Sequence, residues 1–155
     1  MNNIRKYFQC LCAVVLLTGC LKVAPTSGKL SQRIDHNGYI MTVTQIDIAD
    51  DFPDARKARE GNKLVAVELI VESGARSGVH VSPSHIRLID GSNRDYKPRT
   101  TGKAPILKEY FDIAKGTLVR GWLTFEVPKG VRKMTLVNEL PQGFKYVEIK
   151  IALQE

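Results

Sequence analysis

The chain has 155 residues, 43% of them hydrophobic and 25% charged, the size and mix of one packed domain. Its formal charge of +7 is spread along the sequence, and the densest basic run, Arg56, Lys57 and Arg59, is flanked by Asp50, Asp51, Asp54 and Glu60. A nucleic-acid-binding stripe needs same-sign clustering with interleaved aromatics, so that class of partner is excluded.

The chain opens with two cations, Arg5 and Lys6, and no acid. An uncharged stretch from Tyr7 to Gly19 follows, with its apolar centre at Leu11 to Leu17. This is the layout of a secretory signal. A helix that spans a bilayer takes roughly 20 apolar residues, and this run is shorter, so 1–19 reads as a removed targeting segment. The competing assignment, a buried amphipathic helix, lacks the polar stripe at helical spacing that it needs.

The end of the segment, Leu17-Thr18-Gly19-Cys20, resembles the lipobox of bacterial lipoprotein precursors. The resemblance implies a diacylglycerol thioether on Cys20, whose thiolate attacks the lipid donor, and cleavage after Gly19. An ordinary secretory cut that leaves a free Cys is the alternative. Cys10 and Cys12 fall in the discarded segment, so Cys20 alone is left and no internal disulfide can form. Loss of Arg5 and Lys6 leaves 21 basic and 16 acidic residues, a net +5 that favours an anionic envelope surface modestly. Leu21 after the modified Cys resembles lipoproteins sent to the outer membrane of two-membrane bacteria; in a one-membrane cell the anchor would sit in the plasma membrane.

Residues 20–35 are expected to hold the lipidated Cys and a flexible tether, because Leu21 to Lys29 is small, polar and Pro/Gly-containing. The folded domain is expected over 36–155. Tyr39 to Ile46 is rich in β-branched residues and starts after Asn37-Gly38. Lys63 to Glu72 alternates, with Val65, Val67, Leu69 and Val71 on one face and Glu68 and Glu72 on the other. Ile86 with Leu88, then Val119 with Leu123, Phe125 and Val127, mark two further strands. Met134, Leu136 and Asn138 share a face, and the last strand turns Val147, Ile149, Ile151 and Leu153 inward. Turns are expected at Glu60-Gly61-Asn62, Ser73-Gly74, Asp90 to Asn93, Pro128 to Gly130 and Pro141 to Gly143. Only Asp51 to Glu60 and Ala104 to Asp112 have room for a helical turn. The fold class is all-β, an antiparallel sandwich.

Three segments carry a family resemblance. Glu60-Gly61-Asn62-Lys63-Leu64-Val65-Ala66-Val67 resembles an "EGNKFVVV" strand, and Val81-Ser82-Pro83-Ser84-His85-Ile86-Arg87-Leu88-Ile89-Asp90 is similar to "VSPSDFKLVD". Lys115 to Pro128, with Gly121-Trp122-Leu123 and Phe125-Glu126-Val127-Pro128, is the third. Together they resemble the telokin-like domain of bacterial secreted proteins and lipoproteins, of the DUF4352 type, over roughly Gly38 to Leu153. The resemblance implies an immunoglobulin-like β-sandwich on the exported side of a membrane. It carries no catalytic residues and no cofactor. His85 stands where that family often has an acid.

Candidate sites are few. His80 and His85 flank Ser82-Pro83-Ser84, but a zinc site needs three or four ligands and no third lies at diagnostic spacing. Ser82 or Ser84 with His85 and Asp90 spells a triad on paper, without the elbow that exposes a strained nucleophile. Strand parity places Trp122 opposite Leu123 and Phe125, beside Arg120, Thr124 and Glu126. Trp122, Arg120, Tyr110 and Phe111 are therefore candidate protein-interface residues. The competing expectation folds the Ala104–Asp112 segment over Trp122. Taken together, the sequence reads as a lipid-anchored, non-enzymatic binding or accessory module of the bacterial cell envelope. It would sit on the exported side of the cell or outer membrane, with a protein or envelope component as partner. The alternative is an envelope hydrolase or metal-binding protein using His80 and His85.

Overall fold

A computed structural model describes residues 26–107, 111–142 and 145–154. In chain order the strands are β1 (Thr26–Lys29), β2 (Ile34–His36), β3 (Tyr39–Ala49), β4 (Asn62–Ser73), β5 (Val79–Val81), β6 (Ile86–Asp90), β7 (Asp95–Tyr96), β8 (Phe111–Ile113), β9 (Leu118–Pro128), β10 (Lys133–Gln142) and β11 (Lys145–Gln154). Pro83–His85 forms one 3-10 turn. One sheet has the order β1-β11-β10-β6-β7 and the other β2-β3-β4-β9. Strands β5 and β8 pair as a small ribbon. All pairs between strands are antiparallel except β1 with β11, which run parallel.

The alternation read from the sequence decides which side chains meet. Met41, Val43, Val65, Val67, Leu69, Val71 and Phe125 face inward from one sheet, and Ile86, Leu88, Leu136, Ile149, Ile151 and Leu153 from the other. Each is at most 1% exposed, which is roughly 1.5–3 kcal/mol of transfer free energy per side chain. Asn138 interrupts this apolar surface at 2% exposure. Its Nδ2 donates to Tyr39 Oη at 2.9 Å and approaches Met41 Sδ at 3.7 Å, so one buried amide ties β10 to β3 across the two layers.

Two expectations are corrected. The stretch 20–35 is not all tether, since β1 and the start of β2 lie within it and pair with β11 and β3. Backbone hydrogen bonds place these short strands, and a three- or four-residue piece carries too little alternation to reveal them. Among the described residues neither expected helical turn is found: 51–60 is non-helical, 104–107 holds bends and a bridge from Ile106 to Trp122, and Phe111 and Asp112 belong to β8. The Asn37-Gly38 signal is met by a two-residue hairpin in which His36 pairs with Tyr39. Both loop residues have positive φ, 52° and 84°, the backbone that Asn-Gly favours.

Strand β4 is buried on both faces. Leu64, Ala66 and Glu68 are 0%, 0% and 6% exposed, although they point away from the inter-sheet core. Something covers the outer surface of this sheet.

Candidate functional site

Parity along β9 sends Arg120, Trp122, Thr124 and Glu126 to that outer face. The connection 97–107 runs along the free edge of β9 and folds over it. Arg99 N–H donates to Thr124 O (2.8 Å), Trp122 N–H to Pro105 O (2.8 Å) and Leu107 N–H to Trp122 O (3.0 Å). Lys103 N–H donates to Thr124 Oγ1 at 3.0 Å. Two glycines make this approach possible: a Cβ on Gly102 would lie 2.3 Å from Thr124 Oγ1, and one on Gly121 would lie 2.9 Å from Leu107 N.

Trp122 is 5% exposed under this strap. Lys103 Nζ sits 3.9 Å from the ring centroid and is salt-bridged to Asp47. The exposed-anchor expectation for Trp122 is thereby corrected; of the segment expected to cover it, residues 104–107 run along β9 at Trp122, while Phe111 and Asp112 pair with β5 instead. The outward-facing ring would leave a large apolar area in water, and the segment from Lys103 to Leu107 removes it. Arg120 extends a half-exposed guanidinium that makes two 2.8 Å bonds to Glu68. Phe111 opens β8 opposite Val81. Tyr110 and Cys20 lie outside the described residues.

Two carboxylates on this face are held as anions. The Arg120 hydrogen bonds lower the Glu68 carboxyl, and Thr44 Oγ1 adds a bond at 2.6 Å. Glu126 accepts from Asn62 Nδ2 (2.8 Å) and from Arg59 N–H (3.0 Å), and its carboxyl falls to about 2, with the Asn62 bond the largest cause. Carboxyls lowered in this way stay ionised near neutral pH and are poor proton shuttles there. They are well suited to locking a surface.

Beside the strap lies a cleft of about 770 Å³, lined by Pro83, Lys97, Pro98, Pro105, Leu107 and Leu123 among others. It is a mostly apolar concavity of ligand-binding size, with Ser84, Arg99 and Thr100 also on its lining.

The histidine constellations are placed as follows. His80 Nδ1 lies 2.8 Å from Asp112 Oδ1, in an exposed pair on the β5–β8 ribbon. His85 packs edge-on to Tyr146, with centroids 6.5 Å apart. Among the described residues no three His, Cys, Asp or Glu side chains group as metal ligands. Ser82 Oγ bonds Ser84 Oγ at 2.8 Å, and the Asp90 carboxylate is occupied by Tyr96 Oη and by the N–H groups of Ser92 and Arg94. Nearly extended chain separates His85 from Asp90 by about 16 Å, so the paper triad does not come together.

The architecture defines an immunoglobulin-like β-sandwich with one outer face closed by a strap. Residues 29–146 match the model of a domain of unknown function, DUF4352, and the chain belongs to that family. No curated protein matches the sequence significantly. Among solved structures it is similar to ycdA of Bacillus subtilis, named a candidate lipoprotein, at 12% identity and a TM-score of 0.65. That match covers 79% of this chain and only 38% of ycdA. It is also similar to yjhA of Bacillus subtilis, at 14% identity and a TM-score of 0.61, covering 81% of this chain and 98% of the other. The secreted protein MPT63 of Mycobacterium tuberculosis matches at 13% identity and a TM-score of 0.58, over 84% and 98% of the two chains. At these identities the likeness is one of fold.

Proposed function

We propose that this chain is an exported, lipid-anchored, non-enzymatic binding or accessory module of the bacterial cell envelope. One observation carries the reading: Leu17-Thr18-Gly19-Cys20 follows a basic start and a short apolar run, and stands just ahead of β1 at Thr26. A folded sandwich that begins so soon after a lipidation sequence has the build of a domain presented at a membrane surface. The candidate-lipoprotein and secreted descriptions of ycdA and MPT63 support an exported setting. The pinned carboxylates of the Trp122 face support binding over catalysis, and the cleft beside the strap offers a place for a protein or other envelope component.

Feeding cells an alkyne fatty acid tests the anchor. The wild-type chain should be labelled and sediment with membranes, its mature mass starting at Cys20, whereas Cys20→Ser should lose both the label and the sedimentation. An unlabelled wild-type chain overturns the reading. Crosslinking in cells tests the binding role: one saturable partner supports a module, and its absence argues for a structural coat component.

A further inference from the structure

We propose that the sandwich lies with one chosen end against the bilayer and that Tyr146 and Leu118 enter the headgroup layer there. This inference rests on the lipid anchor at Cys20 and adds an orientation and a contact surface to it.

The argument begins with reach and direction. Only residues 21–25 separate Cys20 from β1. Fully extended chain spans at most about 3.6 Å per residue, so Thr26 stays within roughly 22 Å of the lipidated residue. Direction follows from the parallel pair: Thr26 lies opposite Ile149 and Lys29 opposite Ala152. Traced backwards, β1 therefore points toward the start of β11, the end where β10 turns into β11.

Three contacts carry that end across the molecule. Asn138, four residues before the end of β10, is bonded to Tyr39 at the start of β3. Tyr39 pairs with Ser73, and its neighbour Glu72 pairs with Leu118. Tyr146 pairs with Pro141 beside the β10–β11 turn. Tyr146 and Leu118 therefore occupy the end from which the anchor departs.

They are also the most exposed large apolar side chains among the described residues, at 64% and 59%. Tyrosine, with an apolar ring and a polar tip, is suited to the lipid–water boundary. The loops of the same end hold Arg76 and Lys115, both exposed and neither in an ion pair with a described residue. Of the acids there, Glu72 is paired with Arg33, while Asp35 accepts the Gly38 N–H and Asp112 lies beside His80, both keeping their charge. Exposed apolar groups, one of them a tyrosine, bordered by the long cationic side chains of Arg76 and Lys115, suit the lipid–water boundary.

The test uses the full lipidated protein in phosphatidylcholine vesicles containing phosphatidylglycerol. Single Tyr146→Cys, Leu118→Cys and Asn93→Cys chains carry an environment-sensitive dye, Asn93 marking the opposite end. Dyes at 146 and 118 should shift to the blue and be quenched by a lipid-borne quencher, while the dye at 93 stays in water. In a chain labelled through Lys115→Cys, joint Tyr146→Ser and Leu118→Ser should abolish most of the quenching. A lipidated protein that floats with its vesicles while the dyes at 146 and 118 remain in water overturns the docking alone. So does one quenched at 93 as strongly. A chain without lipid overturns the anchor and the docking with it.

Discussion

Lys103 Nζ lies 3.9 Å above the Trp122 ring while the same ammonium is paired with Asp47. A single cation thus joins the strap, the outer face of β9 and the β3 strand below it. Trp122 is the sole tryptophan, so its emission reports on this arrangement directly. Lys103→Met removes the charge and keeps the stem. The expected loss is about 0.5–2 kcal/mol in urea unfolding, with the emission still that of a buried ring. An unchanged midpoint would show that the cation does nothing for the strap.

The two strap glycines should behave differently from glycines in open turns. Gly121→Ala and Gly102→Ala each place a methyl against the neighbouring segment, 2.9 Å from Leu107 N and 2.3 Å from Thr124 Oγ1. Overpacking of this kind costs about 1–3 kcal/mol, and displacement of the strap should move Trp122 emission to the red. Gly130→Ala, with open space around the added methyl, is the control and should leave the emission unchanged. Identical spectra in all three chains would mean that the strap is not what covers Trp122.

Tyr39→Phe tests the buried amide. It leaves Asn138 Nδ2 with only the thioether of Met41, a loss of about 1–3 kcal/mol at neutral pH. Burial, the larger cause, pushes the Tyr39 phenol from 10.0 up to about 12. Its neutral form is therefore favoured in the folded chain. Stability is fully present below pH 10 and declines as pH rises toward 12, because the unfolded chain ionises first. Chemical denaturation across that window should show the decline in the wild type and a smaller one in the Phe variant.

Glu126 contributes to the acid side, together with Asp47, Glu68, Asp90 and Glu148, whose carboxyls are also lowered. Its carboxyl is lowered from 4.5 to about 2, so its contribution is present above pH 4.5 and is lost as pH falls toward 2. Glu126→Gln should cost on the order of 2 kcal/mol at pH 7 and flatten the acid limb of a stability–pH curve. An equally steep acid limb in the variant would assign that titration to other carboxylates.

Much of this fold was legible because its long strands alternate. The inward positions of β4, β9, β10 and β11 follow from apolar residues two apart, and even Asn138 was placed on the correct face by parity. What alternation could not show was the partner of an outward face. Trp122 and Glu68 look exposed on a two-residue period, and their burial depends on a segment with no regular pattern of its own. Strands β1, β2, β5, β7 and β8 are two to four residues long and are placed by backbone pairing and not by side-chain periodicity. The charge network was also hidden, since Arg59–Glu126 and Lys103–Asp47 join residues far apart in sequence.

The strap has a consequence for how many copies of the protein can share a surface. Chains anchored in a membrane meet at high local concentration, and an open strand edge is a template on which the next copy can zip. Along β9 the N–H and C=O of Trp122 and the C=O of Thr124 are already taken by Pro105, Leu107 and Arg99. That stretch offers little docking line to a neighbour, so if the chain is anchored as proposed, crowding in the plane of a bilayer would not turn into strand-by-strand polymerisation there.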